Sequence, residues 1–208
     1  SIDGARWFSQ NIQTHTIQKY YLGIVSGTLA QKETWENTIE KETPTNSASF
    51  HTVQESSSGK KAITYVTPIK YGKYKGLPIT LAEFHIVTGR THQIRFQSAS
   101  HGYPLLGDTA YNGKAISEKQ DFFLHAYKLT LPENPLELPE EITCPQNRDF
   151  EDFCNNEKLC EDGCAPPEID SDTKEVECAC PAKSKSISLD SIIDDIELQS
   201  GMEVEPYY

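Results

Sequence analysis

The densest group of side chains that can do chemistry lies at residues 88–97, TGRTHQIRFQ. A glycine turn there leads from an apolar, strand-like segment into a helical one, and the first turn of a helix presents free backbone N–H groups and a partial positive charge. Arg90 and Arg95 add planar, permanently charged guanidinium groups, and Thr91 and His92 add further hydrogen-bonding groups. Together they predict a site for an anion, either an RNA phosphate or a carboxylate of a partner. The alternative is a capped surface helix whose arginines are solvated.

The surrounding sequence predicts the elements that must position this segment. Helical spacing of apolar residues indicates a helix over 3–14, which Asp3 can cap, and a second helix is expected to run from a Thr91 cap to about Ser100. Strands rich in β-branched and aromatic residues are expected at 18–26, 61–69, 78–87 and 122–131. Few helices and strands separated by long loops are typical of an α+β domain built on a mostly antiparallel sheet.

The remaining segments are interpreted as loops. The polar stretch 31–60 is expected to be a loop with room for one irregular hairpin, 71–76 a turn, and 102–115 a loop rich in glycine and proline. Prolines at 132, 135 and 139 mark the exit from the domain. We therefore expect a domain at 1–132 and a tail at 133–208.

Charge and cysteine content divide the chain at nearly the same place. The net charge is −12, but residues 1–131 hold 14 basic and 10 acidic residues, whereas residues 132–208 hold 5 basic and 21 acidic ones. The domain is therefore mildly basic, and the acidity belongs to the tail. All six cysteines also lie in the tail, and the chain has neither an export signal nor an apolar run long enough to cross a bilayer. These features predict a cytoplasmic protein without a membrane partner.

The tail allows more than one interpretation. Its acidic, weakly patterned sequence predicts disorder, although 187–198 can form a short amphipathic helix that docks on a partner protein. Its charge predicts competition with RNA for the basic domain, so deletion of 140–208 is expected to tighten RNA binding at low salt. The cysteine spacing fits zinc only in part, since one interval matches and the others are too long or too short, and free thiols are the alternative. The cysteines are Cys144, Cys154, Cys160, Cys164, Cys178 and Cys180.

Several motifs together resemble the RluA family of pseudouridine synthases. The most specific block joins TGRTHQIR at 88–95 to HGYPLLGD at 101–108 and YNG at 111–113. Weaker matches follow in the family's order: KYYLGIV at 19–25 resembles its Lys-x-Tyr strand, and KAITY at 61–65 and LHA at 124–126 resemble two later elements. The resemblance covers about residues 1–132.

This resemblance implies a fold, a reaction and two active-site residues. The fold would be a mostly antiparallel, mixed sheet of the pseudouridine synthase type, and the reaction the isomerisation of uridine in ribosomal or transfer RNA without metal or organic cofactor. Tyr21 matches the family's active-site tyrosine, whose ring stacks on the flipped uracil and whose hydroxyl can assist proton transfer at carbon five. Arg95 matches the arginine that pairs with the catalytic aspartate and lowers its pKa.

Neighbouring positions are assigned supporting roles by the same match. Arg90, Thr91 and His92 are expected to contact RNA phosphate or to brace the loop, and Ile94 is expected to pack beneath the substrate site. Asp108 lies in a Gly-Asp turn, where a carboxylate commonly bonds neighbouring backbone N–H groups, and it is interpreted as structural. The family usually has histidine at the position of Gln97, so this glutamine is expected to alter substrate contacts.

One departure from the family concerns the catalytic aspartate itself. It belongs to an Arg-Leu-Asp motif, which does not occur in the 208 residues. Because 3–14 resembles the stretch that follows this motif, we expect the motif just before Ser1, a sheet truncated at its N-terminal side, and no activity from this chain alone. Two other functions stay open: a non-catalytic RNA-binding relative, and a protein-interaction module that acts through the acidic tail.

Overall fold

The computed structural model describes residues 2–41, 52–116, 122–156, 159, 168–169 and 176–177. The helices are α1 (Ile2–Gln13), α2 (Gln93–Ser100) and α3 (Arg148–Asn156), with a short 3-10 helix at Thr109–Tyr111. The strands are β1 (Gln18–Ser26), β2 (Glu33–Lys41), β3 (Val53–Glu55), β4 (Lys60–Tyr74), β5 (Leu77–Ile86), β6 (Leu124–Thr130), β7 (Glu141–Thr143), β8 (Glu168–Ile169) and β9 (Val176–Glu177).

Seven of these strands form one sheet in the order β3–β2–β4–β5–β1–β6–β7. Strand β1 lies inside the sheet, where Tyr21 is opposite Phe84 of β5 on one side and Ala126 of β6 on the other. Every strand pair among the described residues is antiparallel, so the parallel component of the expected mixed sheet is not seen there. The predicted α+β class with a mostly antiparallel sheet is confirmed.

The sheet is covered on both faces, and each face has its own core. On one face, which we call the α2 face, Ile94 of α2 packs with Val25 and Phe84. On the other, the α3 face, Phe150 of α3 packs with Leu22 and other apolar strand residues. Because successive side chains of a strand point to opposite faces, the two cores draw on alternate residues of the same strands.

Most of the expected elements are found near their predicted bounds. The helix expected at 3–14 is α1, and the strands expected at 18–26, 78–87 and 122–131 are β1, β5 and β6. Asp3 does not cap α1 from outside, since it lies within the first turn, where a carboxylate still suits the partial positive charge of the helix.

The loop expected over 31–60 is wrong for Glu33–Lys41, which forms the nine-residue strand β2. Trp35 and Ile39 point inward from this strand and are 1% and 4% exposed. Polar and charged residues separate them, because β2 lies next to the edge strand β3 and one of its faces meets water. The antiparallel β2–β3 pair corresponds to the irregular hairpin for which the sequence left room.

Two local predictions in the middle of the chain are also wrong. The turn expected at 71–76 is mostly strand, because β4 continues to Tyr74 and only Lys75 and Gly76 turn, both with positive φ (49° and 77°). Helix α2 begins at Gln93 and not after a Thr91 cap: its N-cap is His92, in a left-handed conformation without a side-chain cap.

Packing continues past Pro132, where the sequence predicted a tail without regular structure. Strand β7 adds to β6, and Phe150 of α3 is 2% exposed and packs near Phe153 on the α3 face. The prediction is wrong for these residues, because two aromatic rings at helical spacing anchor an otherwise acidic helix. The change to an acidic composition after Pro132 therefore does not mark the end of the packed domain. The helix considered at 187–198 lies outside the described residues.

The cysteine prediction is tested only in part. Cys144 is exposed and Cys154 is half-buried, both as free thiols, whereas Cys160, Cys164, Cys178 and Cys180 lie outside the described residues. Among the residues that the structure describes, no cluster of three histidine, cysteine or acidic side chains is placed to hold a metal ion. No helix in the same part of the chain has the length and apolar character needed to span a membrane.

Candidate active site

Helix α2 is fixed to the sheet by two buried glutamines, of which Gln93 is the first. Its Oε1 accepts hydrogen bonds from Thr88 Oγ1 (2.8 Å) and from the backbone N–H of Arg90 (3.0 Å). Its Nε2 donates to the backbone oxygen of Ile63 (3.0 Å) and to Thr64 Oγ1 (2.9 Å). Gln93 thus joins the 88–90 loop, the start of α2 and strand β4 into one unit.

Gln97, one turn later, continues this network and is fully buried. Its Oε1 accepts from Thr64 Oγ1 (2.6 Å), and its Nε2 lies within 3.1–3.2 Å of the backbone oxygens of Trp35 and Ala62 and of Asn37 Oδ1. The side chain therefore ties α2 to both β2 and β4. The expectation that Gln97 alters substrate contacts is wrong, because its amide faces the sheet and has no exposed surface.

Arg95 lies on the opposite side of α2 from the two glutamines. It is two residues from each, and two residues turn a helix by about 200°. Its Nε donates to Asp108 Oδ2 and its Nη2 to Asp108 Oδ1, both at 2.7 Å. The arginine side chain is 17% exposed and the aspartate 1% exposed. The result is a bidentate, largely buried ion pair, the geometry in which an arginine–carboxylate contact is strongest.

Aromatic rings and charge hold the same guanidinium. Its central carbon lies 4.4 Å from the ring centroid of Phe122 and 5.0 Å from that of Tyr111, within the range of a cation–π contact. The hydrogen bonds to Asp108 raise the pKa of Arg95 above its ordinary value, although burial acts in the opposite direction. Arg95 is therefore a permanent cation in a fixed orientation.

His92 contacts the guanidinium from the start of α2. Its Nε2 lies 3.3 Å from Arg95 Nη1, and its Nδ1 lies 3.0 Å from Tyr111 Oη. Because a guanidinium can only donate, Nε2 must accept, which leaves the proton of the neutral ring on Nδ1 to be donated to Tyr111. The backbone at His92 is left-handed (φ 51°), which costs about 1–3 kcal/mol for a residue other than glycine. That strained backbone places the imidazole between Arg95 and Tyr111.

Asp108 has a different partner from the one predicted. Both oxygens of its carboxylate bind Arg95, so the expectation that they bond neighbouring backbone N–H groups is wrong. The backbone of Asp108 is instead held by Gly113, whose N–H donates to its oxygen (2.7 Å), and a Cβ at Gly113 would lie 2.2 Å from the oxygen of Leu105. One signal in the sequence indicated the pair: Asp108 is the only acidic residue between positions 84 and 117, a stretch that contains two arginines.

Tyr21 lies on the same face of the sheet as Arg95. Its ring is half-buried and packs against the cluster that contains Ile94 and Leu105, and Phe122, which lies against the Arg95 guanidinium, packs on that cluster too. Burial raises the pKa of Tyr21, so its hydroxyl is protonated at neutral pH. The structure thus places both predicted catalytic residues on the α2 face of the sheet, Tyr21 against the apolar cluster and Arg95 against Phe122, which packs on that cluster.

The other predicted site residues separate into buried and accessible ones. Ile94 is 4% exposed and packs in the apolar cluster of the α2 face, so it has almost no surface to offer to RNA. Arg90 donates from Nε to the backbone oxygen of Lys61 (3.1 Å), which is the bracing role. Thr91 is exposed beside it. The exposed residues of this loop are therefore Gly89 and Thr91, with the half-buried Arg90 between them.

The sequence of this chain is similar to a known protein family and to several of its members. Residues 1–100 match the family model described as RNA pseudouridylate synthase. The chain is 36% identical over 115 residues to an uncharacterized RNA pseudouridine synthase of Helicobacter pylori, a match that covers 55% of this chain and 44% of that protein. It is 42% identical over 82 residues to ribosomal large subunit pseudouridine synthase C of Rickettsia conorii, covering 38% and 25% of the two chains. The chain thus spans less than half the length of these curated relatives.

Two solved human structures resemble the fold. RNA Pseudouridylate Synthase Domain Containing 4 matches with a TM-score of 0.57 and 21% identity over 78% of this chain and 70% of that one. RNA Pseudouridylate Synthase Domain Containing 1 matches with a TM-score of 0.50 and 22% identity over 74% and 71%. At this level of identity the likeness establishes the fold, and the predicted sheet of the pseudouridine synthase type is confirmed.

Proposed function

We propose that this chain, which belongs over residues 1–100 to the RNA pseudouridylate synthase family, is the part of an RNA pseudouridine synthase that supplies Tyr21 and Arg95 to the active site. The observation that carries the proposal is the state of Arg95. Its guanidinium is fixed by a bidentate ion pair and two aromatic rings on the α2 face of the sheet, where the Tyr21 ring also lies. A cation held so rigidly suits the orientation of a reacting anion more than general attraction to RNA.

In the proposed reaction, uridine in RNA becomes pseudouridine. The bond between the ribose and N1 of uracil breaks, the ring turns, and a bond forms to C5, while C5 loses a proton to solvent and N1 gains one. The base must first leave its stack, which costs a few kcal/mol. Tyr21 presents a half-buried ring on which uracil can stack, and a protonated hydroxyl that can assist the proton transfer at C5.

The reaction also needs a carboxylate, and Asp108 is unsuited to that task. Both of its oxygens bind Arg95 and its side chain is 1% exposed, so neither oxygen is accessible to a substrate. No Arg-Leu-Asp sequence occurs in the 208 residues. In this proposal the reacting carboxylate comes from outside them and meets the part of Arg95 that Asp108 leaves open.

The test uses this chain extended at its N-terminus to include an Arg-Leu-Asp element, with RNA that carries tritium at C5 of uridine. The extended protein should release tritium, and Arg95→Ala should lower the rate by at least about 10²-fold, the typical effect of losing one fixed electrostatic contact. Arg148→Ala, at an exposed arginine of α3, is the matched control and should leave the rate unchanged. Full activity of Arg95→Ala would refute the proposal. An extended protein that binds RNA but releases no tritium would be the non-catalytic RNA-binding relative.

The RNA target is proposed to be ribosomal or transfer RNA, in the cytoplasm. Similarity to a protein named ribosomal large subunit pseudouridine synthase C supports testing ribosomal RNA first. Tritium release from transcripts of large-subunit ribosomal RNA and of transfer RNA, each labelled at C5, separates the two classes directly.

A further inference from the structure

We propose that Asp108 is a positioning residue, which fixes the Arg95 guanidinium so that only its Nη1–Nη2 edge is open to a second anion. The inference rests on the proposed function, in which Arg95 faces a reacting carboxylate, and it adds a residue that the sequence assigned to turn structure alone. Its basis is the geometry of one guanidinium.

A guanidinium offers two edges to a bidentate partner, because its five N–H groups lie in one plane. Asp108 occupies the edge formed by Nε and Nη2, with both distances at 2.7 Å. The remaining edge is formed by Nη1 and the second hydrogen of Nη2. A carboxylate or phosphate that reaches Arg95 must therefore approach in the guanidinium plane from the end of the side chain.

His92 stands at that open edge. Its Nε2 lies 3.3 Å from Nη1, a longer and weaker contact than the two that Asp108 makes. A carboxylate is a stronger acceptor for a guanidinium than a neutral imidazole, because its hydrogen bond is assisted by charge on both partners. The second anion would replace His92 at Nη1, while the Asp108 contacts stay intact.

Burial explains why Asp108 can act as a fixed support. Its carboxylate is 1% exposed, and its backbone is locked by the hydrogen bond from Gly113 in a loop that leaves no room for a Cβ at that glycine. The charged and titratable groups described around the Arg95 guanidinium are Asp108 from this loop, His92 from the start of α2 and Tyr111 from the 3-10 helix. Asp108 is the only anion among these described groups, and it both orients the cation and offsets its charge.

Asp108→Asn separates these two effects. The asparagine keeps the shape but has a single acceptor oxygen, so the guanidinium loses its bidentate support and gains net positive charge. In the extended protein we expect kcat to fall about 10²-fold, the scale of an ångström-sized misplacement, with KM changed by less than about threefold. The acid limb of the pH profile of kcat/KM should move to lower pH, because a less compensated Arg95 favours the ionised form of the reacting carboxylate. A purely structural role would reduce the amount of folded enzyme and leave this limb in place.

A second measurement needs neither a variant nor activity. In the 15N-labelled 208-residue chain, the Arg95 Nε–H should exchange with water more slowly than the Nε–H of Arg6, whose ion pair with Asp3 is exposed. Equal exchange rates at Arg95 and Arg6 would overturn the inference even if the extended enzyme were active, as would an unchanged kcat in Asp108→Asn. If Arg95 is protected but the extended wild type releases no tritium, the proposed function fails, and the positioning role fails with it.

Discussion

Substitution of Gln97 by leucine should destabilise the fold by about 3 kcal/mol. The leucine is close in size but removes the acceptor of the Thr64 hydroxyl and the donor that reaches the backbone oxygens of Trp35 and Ala62. A buried polar group left without a partner costs about 1–3 kcal/mol, and at least two such groups are created here. The apolar side chain returns roughly 1–2 kcal/mol through burial, so a net loss of about 3 kcal/mol remains.

Urea unfolding followed by circular dichroism measures this loss. With a slope of about 2 kcal/mol per molar urea, the midpoint should fall by roughly 1.5 M. Gln13→Leu, at the exposed end of α1, is the matched control and should change the free energy of unfolding by less than about 0.5 kcal/mol. Gln97→His should lie between wild type and Gln97→Leu, because a neutral imidazole keeps one donor and one acceptor of the three groups that glutamine supplies. A midpoint for Gln97→Leu within 0.2 M or so of the wild type would refute the view that this glutamine holds α2 to the sheet.

Two further predictions concern pH and the acidic tail. Burial lowers the pKa of His85, which stacks on Tyr20 with ring centroids 4.5 Å apart, so the unfolded chain binds the proton more readily than the folded one. The free energy of unfolding should therefore fall as the pH drops from the ordinary pKa of 6.5 to the lowered value. Urea midpoints of His85→Asn should lose this part of the pH dependence, and an identical dependence in both proteins would contradict the assignment. Deletion of residues 160–208, which carry 13 acidic and 3 basic residues, should tighten RNA binding at low salt, with the difference shrinking as salt rises, whereas equal affinities would exclude competition by the tail.

The deletion begins at residue 160, and not at 140, because the packed part of the chain extends further than the sequence predicted. The sequence placed the end of the domain at 132 from prolines and charge, but β7 and α3 continue the packing to Asn156. Phe150 and Phe153 were visible in the sequence, yet two apolar residues in an acidic helix give too little pattern to separate a packed helix from a solvated one. A deletion from 140 would remove part of the packed structure together with the charge.

Prediction succeeded where one residue pattern was sufficient and failed where partners were distant in sequence. Enrichment in β-branched and aromatic residues located β1 and β5, because both strands are largely buried. Strand β2 was missed because only Trp35 and Ile39 mark its buried side, and the pairing partner that makes it a strand, β4, begins some twenty residues later. Edge-proximal strands carry little pattern of their own, since only part of their surface meets the core.

The same distinction applies within the site. The motif around Arg95 predicted a site for an anion, and the family resemblance implied a carboxylate partner for Arg95. The spacing did not show that Asp108, thirteen residues away, supports the guanidinium, or that Gln97 faces the sheet and not the substrate. Both facts depend on which side of α2 meets β4, and that is decided by the pair Gln93 and Gln97 at a spacing of one turn. Two buried amides at that spacing fix the side of α2 that faces the sheet, and Arg95 therefore lies on the opposite side of the helix.

An arginine can bind two carboxylates at once only if they use different edges of its guanidinium. In this chain Arg95 itself lies on a helix held by buried hydrogen bonds, and the contacts that fix it come from His92, Asp108, Tyr111 and Phe122. The cation is thus oriented before any second anion arrives, and no reorganisation of the guanidinium is required when it does. Electrostatic contacts of this preorganised kind stabilise a reacting anion more than contacts that must first be assembled. For that reason the loss of Asp108 should appear in kcat and not in KM, although Asp108 itself touches no substrate.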